Sequence, residues 1–148
     1  MKRIKEYKKL FNIEGPIDLK DLKKTYRNLV KEWHPDKFQE EAKKEEAGEI
    51  STKIIDAYHF LVSIAPETKA ANLEAYKTTI TEFRVADWHH KSMLLEVTFT
   101  DGNTYEYFGV NKILFGKFIN AKSMNNFGKR NIFNSFLYRK SMKASVAV

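Results

Sequence analysis

The stretch DLKDLKKTYRNLVKEWHPDKF, residues 18–38, leaves the chain little choice of local structure. Leu19, Leu22, Tyr26, Leu29, Val30 and Trp33 recur at the spacing that gathers side chains on one side of an α-helix. Lys20, Lys23, Lys24, Arg27 and Lys31 gather on a second, separate side, and Asp21, Asn28 and Glu32 fill the rest. The pattern predicts a helix with one apolar face and one cationic column, with Asp18 as its N-cap and Pro16 just ahead. Pro35 ends that helix, because proline has no amide hydrogen and drives His34 out of helical geometry.

Helical spacing also marks Ile4, Tyr7, Leu10 and Phe11, before EGPID interrupts. A third helix is expected to begin near Glu40 or Glu41, where acidic side chains favour the positive end of its dipole. Its buried seam is Ile50, Ile54, Ala57 and Leu61. Two antiparallel helices joined through residues 34–39 would carry His34, Pro35 and Asp36 at the exposed tip of a hairpin. A shorter segment after Pro66 offers Ala70, Leu73, Tyr76 and Ile80 for packing.

His34 and Asp36 could serve as a proton-transfer pair, a metal half-site, a plain turn or a contact tip. A metal site lacks a third ligand at a recognisable spacing, and with no cysteine in the chain thiolate sites and disulfides are excluded. Glu40, Glu41, Glu45 and Glu46 lie among lysines and read as solvated i,i+4 partners rather than paired catalytic carboxylates. No P-loop, dinucleotide glycine fingerprint or nucleophile arrangement is present, so an enzyme is not expected, nor is a cofactor.

Charge divides the chain. Residues 1–82 hold 16 Lys/Arg against 15 Asp/Glu, whereas residues 83–148 hold 10 against 4 and are rich in aromatics. That break predicts two units, placed at 1–80 and 81–148, with different partners. The basic start has no apolar core of a signal peptide, and FLVSIA is too short to span a bilayer. The expectation is a cytosolic monomer with no membrane contact.

In the second unit, LLEVTFTDGNTYEYFGV is a β-hairpin signal with Asp101-Gly102 at the turn, and EFRVADW offers a preceding strand. His89 and His90 are expected in a turn. After Val110 the pattern turns helical through KILFGKFINA and NNFGKRNIFNSF, with glycines weakening both, and SMKASVAV is expected to fray. A two-residue turn would set Thr98 opposite Tyr105 and Glu96 opposite Tyr107, leaving both tyrosines on the polar face to stack bases. A loop longer by one residue would set Phe99 opposite Tyr105 and Val97 opposite Tyr107, burying them with Leu95. Turn chemistry favours the first and matched apolar faces the second; the buried arrangement is preferred, because aromatics at sheet spacing are more often core.

YKKLFNI, LKDLKKTYRNLVKEW, HPDK, AYHFL and LEAY together resemble a J-domain, the helical module of DnaJ-type co-chaperones, over residues 5 to about 80. The resemblance implies docking on the ATP-bound form of a DnaK-type (heat shock protein 70 class) chaperone and acceleration of its ATP hydrolysis. Asp36 would then offer a carboxylate to a partner arginine, Pro35 would stiffen the tip and His34 would orient it by hydrogen bonding. Lys23, Lys24, Arg27 and Lys31 would face an acidic surface, giving fast, weak, salt-sensitive encounter.

LEVTFTDGNTYEYFGV, with Tyr105 and Tyr107 as a Y-x-Y, and NAKSMNNFGKRNIFNSFLYRK resemble the KTSC domain over about residues 82–141. RNA binding has been proposed for that family, and Tyr105, Tyr107, Lys122, Lys129, Arg130, Arg139 and Lys140 are the candidate contacts. The combined expectation is an α+β chain. An all-helical J-domain with its antiparallel hairpin and His-Pro-Asp loop precedes a small domain of antiparallel strands covered by helices, which selects client or location.

Overall fold

A computed structural model describes residues 2–141. The elements run α1 (Lys2–Leu10), α2 (Leu19–Trp33), a 3-10 turn (Pro35–Lys37), α3 (Glu41–Ile64), α4 (Pro66–Glu82), β1 (Val85–Lys91), β2 (Leu94–Phe99), β3 (Thr104–Phe108), α5 (Lys112–Ile119), α6 (Met124–Asn131) and β4 (Leu137–Lys140). They form two compact units, Met1–Ala70 and Ala71–Val148. The architecture is α+β, a helical first unit followed by an antiparallel sheet with helices.

The first unit is set by helix ends and one apolar seam. Asn12, at a φ of 55°, closes α1: the Ile13 amide bonds Lys8 O at 2.8 Å and the Asn12 amide bonds Lys9 O at 3.1 Å, a Schellman arrangement. The Asp18 carboxylate caps α2 by accepting the Lys20 and Asp21 amides at 2.8 and 3.3 Å. Tyr26 stacks on Tyr58 at 4.0 Å while the Ser51 hydroxyl meets Trp33 O, so contacts descend α2 as they climb α3 and the pair is antiparallel. Ala47, Ile54, Ala57, Phe60, Leu61 and Ile64 are the buried seam of α3. Ile50, expected there, is half-buried. Tyr7 meets Phe60 edge-on at 5.3 Å, which seats α1 on α3.

The second unit is a four-stranded antiparallel sheet in the order β1-β2-β3-β4. Leu95, Val97, Phe99, Tyr105 and Tyr107 share its buried face with Phe118, Ile132 and Phe133, and with Tyr76 and Ile80 of α4. The hairpin takes neither expected register. Val97 faces Tyr105 and Leu95 faces Tyr107, because Thr100, Asp101 and Gly102 form a three-residue loop rather than Asp101-Gly102 alone. Gly102 donates to Phe99 O at 2.9 Å from a φ of 89°, a conformation that glycine adopts without steric cost. The shift runs in the direction opposite to the longer loop considered, yet it has the same parity and buries the same tyrosines.

Other expectations are corrected. His89 and His90 lie in β1, not in a turn; the turn is Ser92-Met93. β4 was not foreseen. Ala70 and Leu73 are exposed, so only Tyr76 and Ile80 of the four expected packing residues of α4 are buried. Residues 71–80, placed in the first unit by sequence, fall in the second, where Tyr76 and Thr79 bond its core and hairpin turn. The expected fraying of the C-terminal segment lies outside the described residues except at Ser141, whose amide donates to Thr104 O at 2.8 Å.

Candidate functional site

Proline forces a local solution at the end of α2. The His34 backbone is extended, at φ −64° and ψ 128°, and its ring turns back so that Nδ1 accepts the Asp36 amide at 3.2 Å. The Lys37 amide bonds His34 O at 3.0 Å and the Phe38 amide bonds Pro35 O at 3.1 Å, closing the 3-10 turn. Trp33 and Phe38 stack at 6.4 Å beneath it.

The Asp36 side chain is 91% exposed, with His34 Nδ1 3.6 Å from its Oδ2, while the His34 side chain is 53% exposed. The tip therefore spends its internal bonds on backbone and leaves the carboxylate outward. Lys20, Lys23, Lys24, Arg27 and Lys31 are all exposed, on the side of α2 away from buried Leu22. His34, Pro35, Asp36, Lys23, Lys24, Arg27 and Lys31 thus sit on one helix and the turn that ends it.

The candidates of the second unit scatter. Tyr107 is fully buried and Tyr105 is 4% exposed, so neither presents a face for stacking. Burial pushes both phenols above their ordinary range, Tyr107 well above it. Arg139 is also buried, its Nε 3.2 Å from Glu106 Oε2. Lys122, Arg130 and Lys140 are exposed, and half-buried Lys129 reaches Thr81 O at 3.4 Å. The structure removes Tyr105, Tyr107 and Arg139 from the nucleic-acid set because sheet parity and a buried carboxylate claim them.

Three groups escaped sequence reasoning. Ser51 of α3 donates to Trp33 O at 2.7 Å, directly behind the tip. The Asp101 carboxylate accepts the Thr79 hydroxyl at 2.7 Å and the Asn103 amide at 3.0 Å, holding the hairpin turn against α4. Asn125 Oδ1 accepts the Val85 amide at 2.9 Å, tying the start of β1 to α6. Polar residues beside an apolar seam are a weak signal for the first, and tertiary pairing leaves none for the others.

The family model of the DnaJ domain matches residues 6–70, and that of the KTSC domain matches residues 81–136. Residues 71–80 belong to neither match. No curated protein and no solved structure matches the chain. Among the described residues no helix is long and apolar enough to cross a membrane.

Proposed function

The chain is a J-domain protein with a C-terminal KTSC domain, at family level a co-chaperone of DnaK-type chaperones, and from that premise we propose how it acts. It docks on the ATP-bound form of the chaperone through His34, Pro35 and Asp36 and through Lys23, Lys24, Arg27 and Lys31, and it stimulates ATP hydrolysis. The observation that carries this reading is the outward Asp36 carboxylate on a turn already closed by its own hydrogen bonds. A carboxylate so placed suits a bidentate arginine contact, and a turn already fixed by Pro35 loses little entropy on docking. Exposed ion pairs contribute only about 0.2–1 kcal/mol each, so the cations of α2 steer encounter more than they hold the complex.

The test is the ATPase rate of a DnaK-type chaperone titrated with the full chain. Asp36→Asn is expected to abolish stimulation while the unfolding free energy stays within about 0.5 kcal/mol, as for other exposed substitutions. Stimulation by Asp36→Asn equal to wild type would sink the reading.

The second unit, in this proposal, selects the client or the location. RNA remains one such target, supported now only by Lys122, Arg130, Lys140 and half-buried Lys129. Four phosphate contacts on a single strand limit the slope of log affinity against log salt to about −3. A titration with single-stranded RNA over salt tests it, and a flat salt response would remove RNA from the list.

A further inference from the structure

Pro35 creates a hydrogen-bonding problem one residue upstream. A helix continuing past Trp33 would send the Lys37 amide back to Trp33 O. Here that amide is taken by His34 O at 3.0 Å, and the Asp36 amide by His34 Nδ1. Among the described residues Trp33 O has no backbone donor outside the helix at the point where α2 hands over to the tip. The Ser51 hydroxyl reaches across from α3 and supplies one at 2.7 Å in a half-buried setting. Its neighbour Thr52 behaves as helical hydroxyls ordinarily do, bonding back to Gly48 O within its own helix at 3.0 Å. Ser51 does not.

We propose that Ser51 is the positioning residue of the docking tip: by pinning Trp33 O to α3 it fixes the direction in which Asp36 leaves the fold. The proposal rests on the docking reading above. Trp33 O lies one peptide before His34, so a fixed carbonyl there fixes the plane from which the tip springs. Without the clasp, water satisfies the carbonyl, and the tip keeps its internal bonds, the Trp33–Phe38 ring contact and its packing against α3 but loses the one hydrogen bond that fixes the Trp33 carbonyl to that helix. The docked geometry would then be one of several, and its population limits apparent affinity, not the rate once bound.

The experiment uses the full chain as wild type, Ser51→Ala and Ser51→Thr. One readout is the concentration giving half-maximal stimulation of a DnaK-type ATPase, together with the plateau. The other is amide exchange at Asp36 and Lys37, with Ile54 and Ala57 as references in α3. Loss of one neutral hydrogen bond corresponds to roughly a 3- to 10-fold change in an equilibrium. Ser51→Ala is expected to raise the half-maximal concentration by that factor with the plateau unchanged and to speed exchange at Asp36 and Lys37 alone. Ser51→Thr, which keeps the hydroxyl, is expected to restore both. An unchanged half-maximal concentration or unchanged tip exchange in Ser51→Ala overturns the proposal. So does faster exchange at Ile54 and Ala57 as well, which would mark general loosening of α3. A wild-type chain that stimulates nothing overturns the docking reading itself, whatever the exchange reveals.

Discussion

Replacing Tyr76 by Phe removes one oxygen and strands two others. The Tyr76 hydroxyl donates to Phe133 O at 2.7 Å and lies 2.8 Å from the Tyr107 hydroxyl. A phenol has one proton, and a carbonyl can only accept, so Tyr107 must be the donor in the shared bond. Tyr76→Phe therefore leaves a buried carbonyl and a buried hydroxyl unpaired, each at about 1–3 kcal/mol, for roughly 2–6 kcal/mol in all. Tyr107→Phe takes away only a donor and leaves the Tyr76–Phe133 bond intact, at about 1 kcal/mol. The chain provides its own probes, since Trp33 lies in the first unit and Trp88 in the second. Urea unfolding followed by Trp88 fluorescence in a Trp33→Phe background should give the two costs in that order. Followed by Trp33 in a Trp88→Phe background, both variants should match the parent. Equal costs for the two substitutions would refute the donor assignment, and a Tyr76→Phe effect at Trp33 would refute the placement of Tyr76 in the second unit alone.

Two further outcomes are expected. Burial raises the Tyr76 and Tyr107 phenols above their ordinary value, so at alkaline pH the unfolded chain releases protons that the folded chain keeps. Their contribution is complete below about pH 10 and is lost as pH rises, at roughly 1.4 kcal/mol per pH unit for each phenol; the Trp88 transition should show that slope, and Tyr107→Phe should reduce it. Met93 sits at a φ of 67° in the Ser92-Met93 turn, where a side chain costs about 1–2 kcal/mol. Met93→Gly returns about 0.5–1 kcal/mol of that as unfolded-chain entropy, leaving a net gain near 0.5–1 kcal/mol in the unfolding free energy read by urea titration; a loss would mean that the methionine side chain packs more than it strains.

The first unit was legible because its signals are local. A cap at Asp18, a six-residue apolar face and a proline each act within a few residues, so the hairpin and its tip could be read directly. The second unit was read less well because its decisive choices are made between elements. Asp-Gly advertises a two-residue turn, but Asp101 is held by Thr79 and Asn103, and the loop widens by one residue on the Thr100 side. The glycines expected to weaken the last helix serve packing at Gly128, where an added Cβ would overlap the Phe133 ring. LEAY was assigned to the first unit by likeness of sequence, yet the partner of Tyr76 is 31 residues away in β3, a distance that no window along the chain covers.

Charge illustrates the same limit from another side. By register, His89, Glu96, Glu106 and Arg139 form one row across all four strands on a single face of the sheet. Glu96 and Glu106 stand directly opposite each other, an arrangement that like charges disfavour. Arg139 lies on the far side of Glu106, buried with it, and its guanidinium answers that carboxylate at 3.2 Å. Once a buried carboxylate occupies β3, removing the arginine would leave that charge unpaired, which costs far more than an exposed pair contributes. Arg139 is thus held by the fold and releases no counterions to a passing phosphate, although a count of basic residues enters it alongside Lys122 and Arg130. The positive balance of residues 83–148 becomes evidence about a partner only after each cation has been assigned either to the sheet or to solvent, and the sequence supplies the count without the assignment.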